Sequence, residues 1–288
     1  MSKEKDHIWK RIIDKFFNKF AEFFLPDLHK DIDFTHKPKF LDNQLLKITQ
    51  KSGGKDRESD KLVEVKLKDG TERFILIHVE VQDSRKPDFS FRMFQYHYRI
   101  FDKFNKKVVA LAIYTDINSK FKPNEYKDEL YGTGIRYWFN TYKVLEQKDK
   151  KEILKNSDNP FSLVILASLY YLESKDNDNK RYNFKIELTK LLLEKGYKRK
   201  DIYELFEFID ILLKFNDDIL EEKYIEEINK VSKTKEKEII SPFKRITRKE
   251  EKKHIAINLL KEGSKVEFVS KVTGLTIVEV EELKKNLK

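Results

Sequence analysis

Residues 60–82 read DKLVEVKLKDGTERFILIHVEVQ and carry the strongest structural signal in the chain. Two runs rich in Val, Ile, Leu and Phe flank KDGT, a turn former, so the stretch predicts a β-hairpin. Side chains alternate across a strand, so Val63, Val65 and Leu67 share one face of the first run. Ile75, Ile77, Val79 and Val81 share one face of the second, leaving His78, Glu80 and Gln82 on the other. Directly opposed residues of an antiparallel pair lie on the same face, so both apolar sets meet only if paired residue numbers sum to an even value. A two-residue loop at Asp69–Gly70 gives an odd sum, and a three-residue loop or a bulge is therefore expected. Under that register Asp60 falls on the face of Glu80, within about one residue of facing it.

Outward from the hairpin, apolar residues at Ile8, Trp9, Ile12, Ile13, Phe16, Phe17, Phe20 and Phe24 are spaced for a helix over 7–25. QLLKIT (44–49) predicts a strand, and the polar, glycine-containing segment after it predicts a loop. Residues 87–104 return to helical spacing, with Met93, His97, Ile100 or Phe101, and Phe104 on one face. KKVVALAIYTD (106–116) reads as a strand buried on both sides, and GIRYWFNTYKVLE (134–146) as one more strand. The order α-β-β-β-α-β-β implies an α/β fold whose mixed-sheet core spans 1–147. Helical patterns follow over 148–238, packed on or beside the core. A linker and a tail of three short helices around VTGLT occupy 239–288.

The composition narrows the chemistry. The 288 residues contain 39% hydrophobic and 38% charged residues, enough for a core under a heavily solvated surface. No cysteine is present, which excludes disulfides, thiolate metal sites and cysteine nucleophiles. Any metal must take oxygen or imidazole ligands. A net charge of +10 favours a polyanionic partner. The charged N-terminus does not read as a signal peptide, and the longest apolar run is about half a bilayer span, so a soluble cytoplasmic protein with no membrane partner is expected.

Two carboxylates at one end of neighbouring strands suit a Mg²⁺-assisted phosphodiesterase, because Mg²⁺ takes oxygen ligands and binds through one or two carboxylates plus water and phosphate oxygens. Asp60 and Glu80 are the candidate ligands, joined by the backbone carbonyl of Val81. The side chain two residues after the Glu, Gln82, is placed to orient water or contact phosphate.

An Asp at a strand start, a hairpin, then hydrophobic-Glu-x-(Lys or Gln) resembles the core of the PD-(D/E)XK nuclease superfamily. More closely, FFLPDLHKDIDF, the 60–82 hairpin, RMFQYHYRIFDKF, VVALAIYTD and YGTGIRYWFNTYKVLE are together similar to the Rpn family of recombination-promoting nucleases, also labelled transposases. The similarity runs through NPFSLVILASLYYL into the tail, nearly the whole chain. The resemblance implies a restriction-endonuclease-like sheet flanked by helices and followed by an all-helical C-terminal region. It implies a Mg²⁺-dependent DNA endonuclease (Mn²⁺ as substitute) acting on double-stranded DNA, with Asp60, Glu80 and Gln82 as catalytic residues. Most superfamily members carry lysine at the position of Gln82, whereas the Rpn-type pattern carries Gln. A neutral amide hydrogen-bonds but adds no positive charge.

Asp14 is the candidate for the acid that many superfamily members carry on the first helix, ahead of Glu22. Lys55, Arg57 and Lys61 could meet DNA phosphates, as could Arg92 and Arg99 on the helix face opposite the apolar stripe, while Gln95 with Tyr98 loosely matches a Gln/Tyr pattern of related nucleases. The tail has helix-turn-helix spacing with Gly274 at the turn, but Glu279, Glu281 and Glu282 open its last helix and favour packing over base reading. A double-strand cut usually requires two active sites, which suggests a homodimer. The rival readings are a catalytically weak or inactive nucleic-acid-binding protein of the same fold, and an interaction or assembly protein.

Overall fold

The computed structural model describes residues 3–50, 60–80, 89–234 and 252–285. The chain divides into two units, Met1–Asp217 and Asp218–Lys288. In the first, helices α1 (Lys3–Lys15), α2 (Phe17–Phe24) and α3 (Pro26–Asp31) lead into the short strand β1 (Lys39–Phe40) and helix α4 (Asp42–Gln50). The hairpin follows as β2 (Asp60–Lys66) and β3 (Glu72–Glu80), then α5 (Phe89–Phe104) and β4 (Val108–Tyr114). Strands β5 (Glu125–Leu130), β6 (Thr133–Trp138) and β7 (Asn140–Lys143) come next. The helices α6 (Lys151–Asn156), α7 (Pro160–Glu173), α8 (Asp178–Glu194) and α9 (Arg199–Leu212) complete this unit.

Five strands form one mixed sheet in the order β1-β2-β3-β4-β7, antiparallel as far as β3 and parallel beyond it. The hairpin register is even: Val63 faces Ile75, Leu62 faces Leu76 and Asp60 faces His78. Its loop is three residues, Lys68–Gly70, closed by Gly70 N–H to Leu67 O (2.9 Å) and Leu67 N–H to Thr71 O (2.7 Å). Gly70 takes φ +83°, the left-handed position that turns such a loop back into the ladder.

Both sheet faces are covered. Leu62, Phe74, Leu76, Ala110, Ala112 and Tyr114 pack against Leu45 of α4 and Phe89, Met93, Tyr96 and Ile100 of α5. The other face carries Phe40, Lys61, Val63, Ile75 and Tyr142 by register. It meets the first helices through Phe17 against Phe40 (5.8 Å) and Phe24 against Tyr142 (4.8 Å). Phe20 and Phe24 continue onto Phe161 of α7, whose residues 160–170 are all buried. Such a helix is apolar all round because other helices enclose it. Among the described residues no helix is long and apolar enough to cross a membrane.

Three expectations are corrected. QLLKIT is helical, within α4: Leu41, Leu45 and Ile48 have helical spacing that a six-residue window cannot separate from a strand, and Leu45 enters the α5-side core. GIRYWFNTYKVLE splits at Phe139 into β6, paired with β5 in a separate two-stranded ribbon, and β7 in the main sheet. On α5 the buried residues are Phe89, Arg92, Met93, Tyr96 and Ile100, so Arg92 belongs to the core side rather than to the opposite face.

In the second unit, helix α10 (Asp218–Thr234) precedes helix α11 at 252–261, α12 (Val266–Thr273) and α13 (Ile277–Lys285). Ala256, Val269, Leu275 and Val280 form a small core there. Gly274 ends α12 with φ +66°. Glu279 turns back to accept hydrogen bonds from the Thr276 N–H and hydroxyl (2.9 Å each), while Thr276 Oγ1 accepts from the Glu279 N–H (3.3 Å). This capping box gives the first of the three glutamates a structural task.

Gly70 tests the register directly. Nothing lies within 4 Å of a Cβ built there, so Gly70→Ala should carry only the left-handed backbone penalty. A loss of about 1–2 kcal/mol in urea unfolding is expected, with an unchanged circular dichroism spectrum.

Candidate functional site

Asp60 is the first residue of β2 and Glu80 the last of β3, so both stand at one end of the sheet. Asp60 is registered with His78, one side-chain step short of Glu80 on the same face. Residues in that diagonal relation lie about 7–8 Å apart across a ladder. This is the α5-side face, since Leu62 and Leu76, next along the same alternation, pack beneath α5. Val81 and Gln82 lie outside the described residues, as do Lys55 and Arg57.

The register continues across the parallel strands. Glu80 is paired with Tyr114 at the end of β4, and Tyr114 with Lys143 at the end of β7. Lys143 meets Asp116 at 2.6 Å, with side chains 2% and 1% exposed. The ammonium also donates to Phe121 O (3.2 Å), and the second Asp116 oxygen accepts from the Asn118 N–H (2.8 Å). The buried charges therefore hold the 115–123 loop against β7. Neither residue stood out in the sequence. The available signal was that the apolar runs 108–114 and 74–77 both give way within three residues to polar residues and an acid.

Behind the start of β2 sits a second charge cluster. The Lys61 side chain is 1% exposed, and its ammonium lies 2.6 Å from Asp14 Oδ1 and 2.7 Å from Asp42 Oδ2. Asp42 also accepts from the Leu62 N–H (3.3 Å), tying α4 to β2. Lys61 is therefore a buried strut, not the surface cation expected to meet phosphate. Burial holds the Asp14 carboxyl above its usual range; Lys61 pulls it down and Asp42 pushes it up. Asp14 approaches β2 next to Asp60, but its partner Lys61 points to the opposite sheet face. Glu22 binds Lys19 (2.8 Å) and the Asn159 amide (2.9 Å) instead.

The α5 candidates are not gathered on one surface. Arg92 is buried over the Phe89 ring (5.2 Å), Gln95 and Arg99 are half-buried, and Tyr98 is exposed. Among the described residues no group of three or more acidic or histidine side chains converges as a metal-binding cluster. The register thus places two acids on one face at the sheet end, with a buried Asp–Lys pair two strands away.

The Lys61 cluster makes a stability prediction. Asp14→Asn or Asp42→Asn alone leaves the ammonium one carboxylate, whereas the double variant strands a buried charge. Urea melts should show about 1 kcal/mol for each single change and at least about 3 kcal/mol for the double, more than additive.

No family model, no curated protein and no solved structure matches this chain.

Proposed function

We propose that this protein is a Mg²⁺-dependent DNA endonuclease of the Rpn recombination-promoting type, with a restriction-endonuclease-like core in its first unit. The observation that carries the reading is the hairpin register, which sets Asp60 and Glu80 on one face at one end of a mixed sheet. The surrounding order also supports it: helices precede the hairpin, α5 crosses over from β3, and β4 lies parallel to β3.

Two acidic residues on one sheet face match the oxygen-donor chemistry of Mg²⁺. Asp60 and Glu80, with the Val81 carbonyl, would hold the ion. When bound, Mg²⁺ supplies acidification of water and compensation of charge on the phosphate. Gln82 would orient water and the scissile phosphate through its amide, whose neutrality denies it the role of proton shuttle. The partner is double-stranded DNA, held by cations that contact phosphate without reading bases. Lys61 and Arg92 are too buried to serve there, leaving Lys55, Arg57 and Arg99 from the expected set.

A protein that keeps the fold and binds nucleic acid without cutting it efficiently is the second reading, favoured by the amide at Gln82. Supercoiled-plasmid nicking in Mg²⁺ or Mn²⁺ separates the two. The endonuclease reading expects nicking by the wild type and a loss of about 100-fold or more in Asp60→Ala and Glu80→Ala. No nicking, with DNA binding that weakens as salt rises, selects the second reading. Equal nicking by wild type and both variants would remove Asp60 and Glu80 from the site.

A further inference from the structure

The turn from α8 into α9 reads KGYKRKD over 195–201, in which Lys195, Lys198, Arg199 and Lys200 outweigh Asp201. The turn is tied to the corner before α7: Lys195 donates to Ser157 O and the Tyr197 hydroxyl to Asp158 O (3.0 Å). Asn159, next along, donates to Lys19 O (3.0 Å) and Glu22 (2.9 Å), which brings in the first helices. Helix α1 runs antiparallel to α9, since Trp9 meets Phe208 (5.4 Å) while Arg11 meets Glu207 (2.7 Å) and Glu204 (3.0 Å). One helical turn beyond Arg11, Lys15 therefore falls beside the first turn of α9.

The corner so formed is basic. Lys15, Lys198, Arg199 and Lys200 are exposed and, among the described residues, form no ion pair. Glu22 is already held by Lys19 (2.8 Å), and Glu204 and Glu207 by Arg11, leaving Asp158, Glu194 and Asp201 as the acids of the corner. The fold itself gives no reason for these cations. The first turn of a helix favours acids, and of its charged residues here only Asp201 has the favourable sign, while Arg199 and Lys200 oppose the dipole and repel Lys15 and Lys198. No large apolar side chain is exposed within 14–22, 157–159 or 195–201, so the corner lacks what a membrane-lying surface inserts.

We infer that this corner, through Lys15, Lys198, Arg199 and Lys200, is a contact surface for the phosphate backbone of double-stranded DNA. The inference rests on DNA being the substrate, and it supplies cations that the buried Lys61 and Arg92 do not. Phosphates require positive charge at the surface rather than a shaped pocket, and such contacts position a duplex without reading its sequence. The corner is also joined to the candidate acids. Asp14, the neighbour of Lys15, holds Lys61 (2.6 Å), which follows Asp60 in β2.

Anisotropy of a fluorescent duplex, read over a salt series, tests this. The wild type should bind with affinity that falls as salt rises. Lys198→Ala/Arg199→Ala/Lys200→Ala should lower the slope of log K against log salt by about 2–3, at about 0.9 per phosphate contact, for any duplex sequence. Lys198→Arg/Lys200→Arg should keep the wild-type slope. The control, Lys175→Ala/Lys180→Ala/Lys214→Ala, removes the same charge at the other end of these helices, where Arg181 binds the carbonyls of Ser174, Lys175 and Lys214, and should leave the slope unchanged. A corner triple variant that binds DNA like the wild type overturns the inference while leaving the DNA reading in place. Equal losses in both triple variants overturn it too, since net charge alone then explains binding. So does binding to phosphatidylserine vesicles that the corner variant loses while its DNA binding is intact. A wild type that binds no duplex removes the substrate reading and this inference with it.

Discussion

The parity of one ladder governs the first unit. A three-residue loop, possible because Gly70 adopts a left-handed backbone, makes the paired numbers of β2 and β3 sum to an even value. That parity sends Lys61 and Val63 toward the first helices and Leu62 and Leu76 toward α5, so both layers bury apolar side chains. It also sets Asp60 and Glu80 on the same face. A slip of one residue would expose an apolar face and separate the acids together. Core and candidate site therefore obey one constraint.

Two lysines then fix the end of the sheet. Lys61 ties α1 and α4 to the start of β2, and Lys143 ties the loop after β4 to β7. Buried ion pairs contribute little net stability, because desolvation offsets most of their attraction. They do penalise every arrangement in which a charge loses its partner. Their place beside the strand ends that carry the candidate acids suits a role in holding geometry rather than in adding stability.

The hairpin was legible because alternation, turn chemistry and parity all depend on neighbouring residues. The helix at 42–50 was not, because its window is short and Asp42 finds its partners, Lys61 and the Leu62 N–H, far along the chain. The burial of Arg92 on α5 was not legible for a related reason. A helix with apolar residues on two faces has no unique inward direction until the ribbon and the sheet are both placed. Asp60 and Glu80 were proposed from residue type and spacing, and Asp14 only from the family resemblance. Asp116 and Lys143 needed the parallel register, which connects segments separated by a crossover helix and a ribbon.

That difference in connection has a kinetic meaning. Asp60 meets His78 through a single tight turn, whereas Glu80 meets Tyr114 only after α5 has crossed over, and Tyr114 meets Lys143 only after the ribbon is made. Loop closure disfavours late, distant pairings, and hairpins close within microseconds. The face shared by the two acids therefore belongs to the earliest part of the sheet to pair, while the buried lysine edge belongs to the last strand docked. Slow steps in folding would fall on the parallel half of the sheet, leaving the carboxylate half already assembled when they occur.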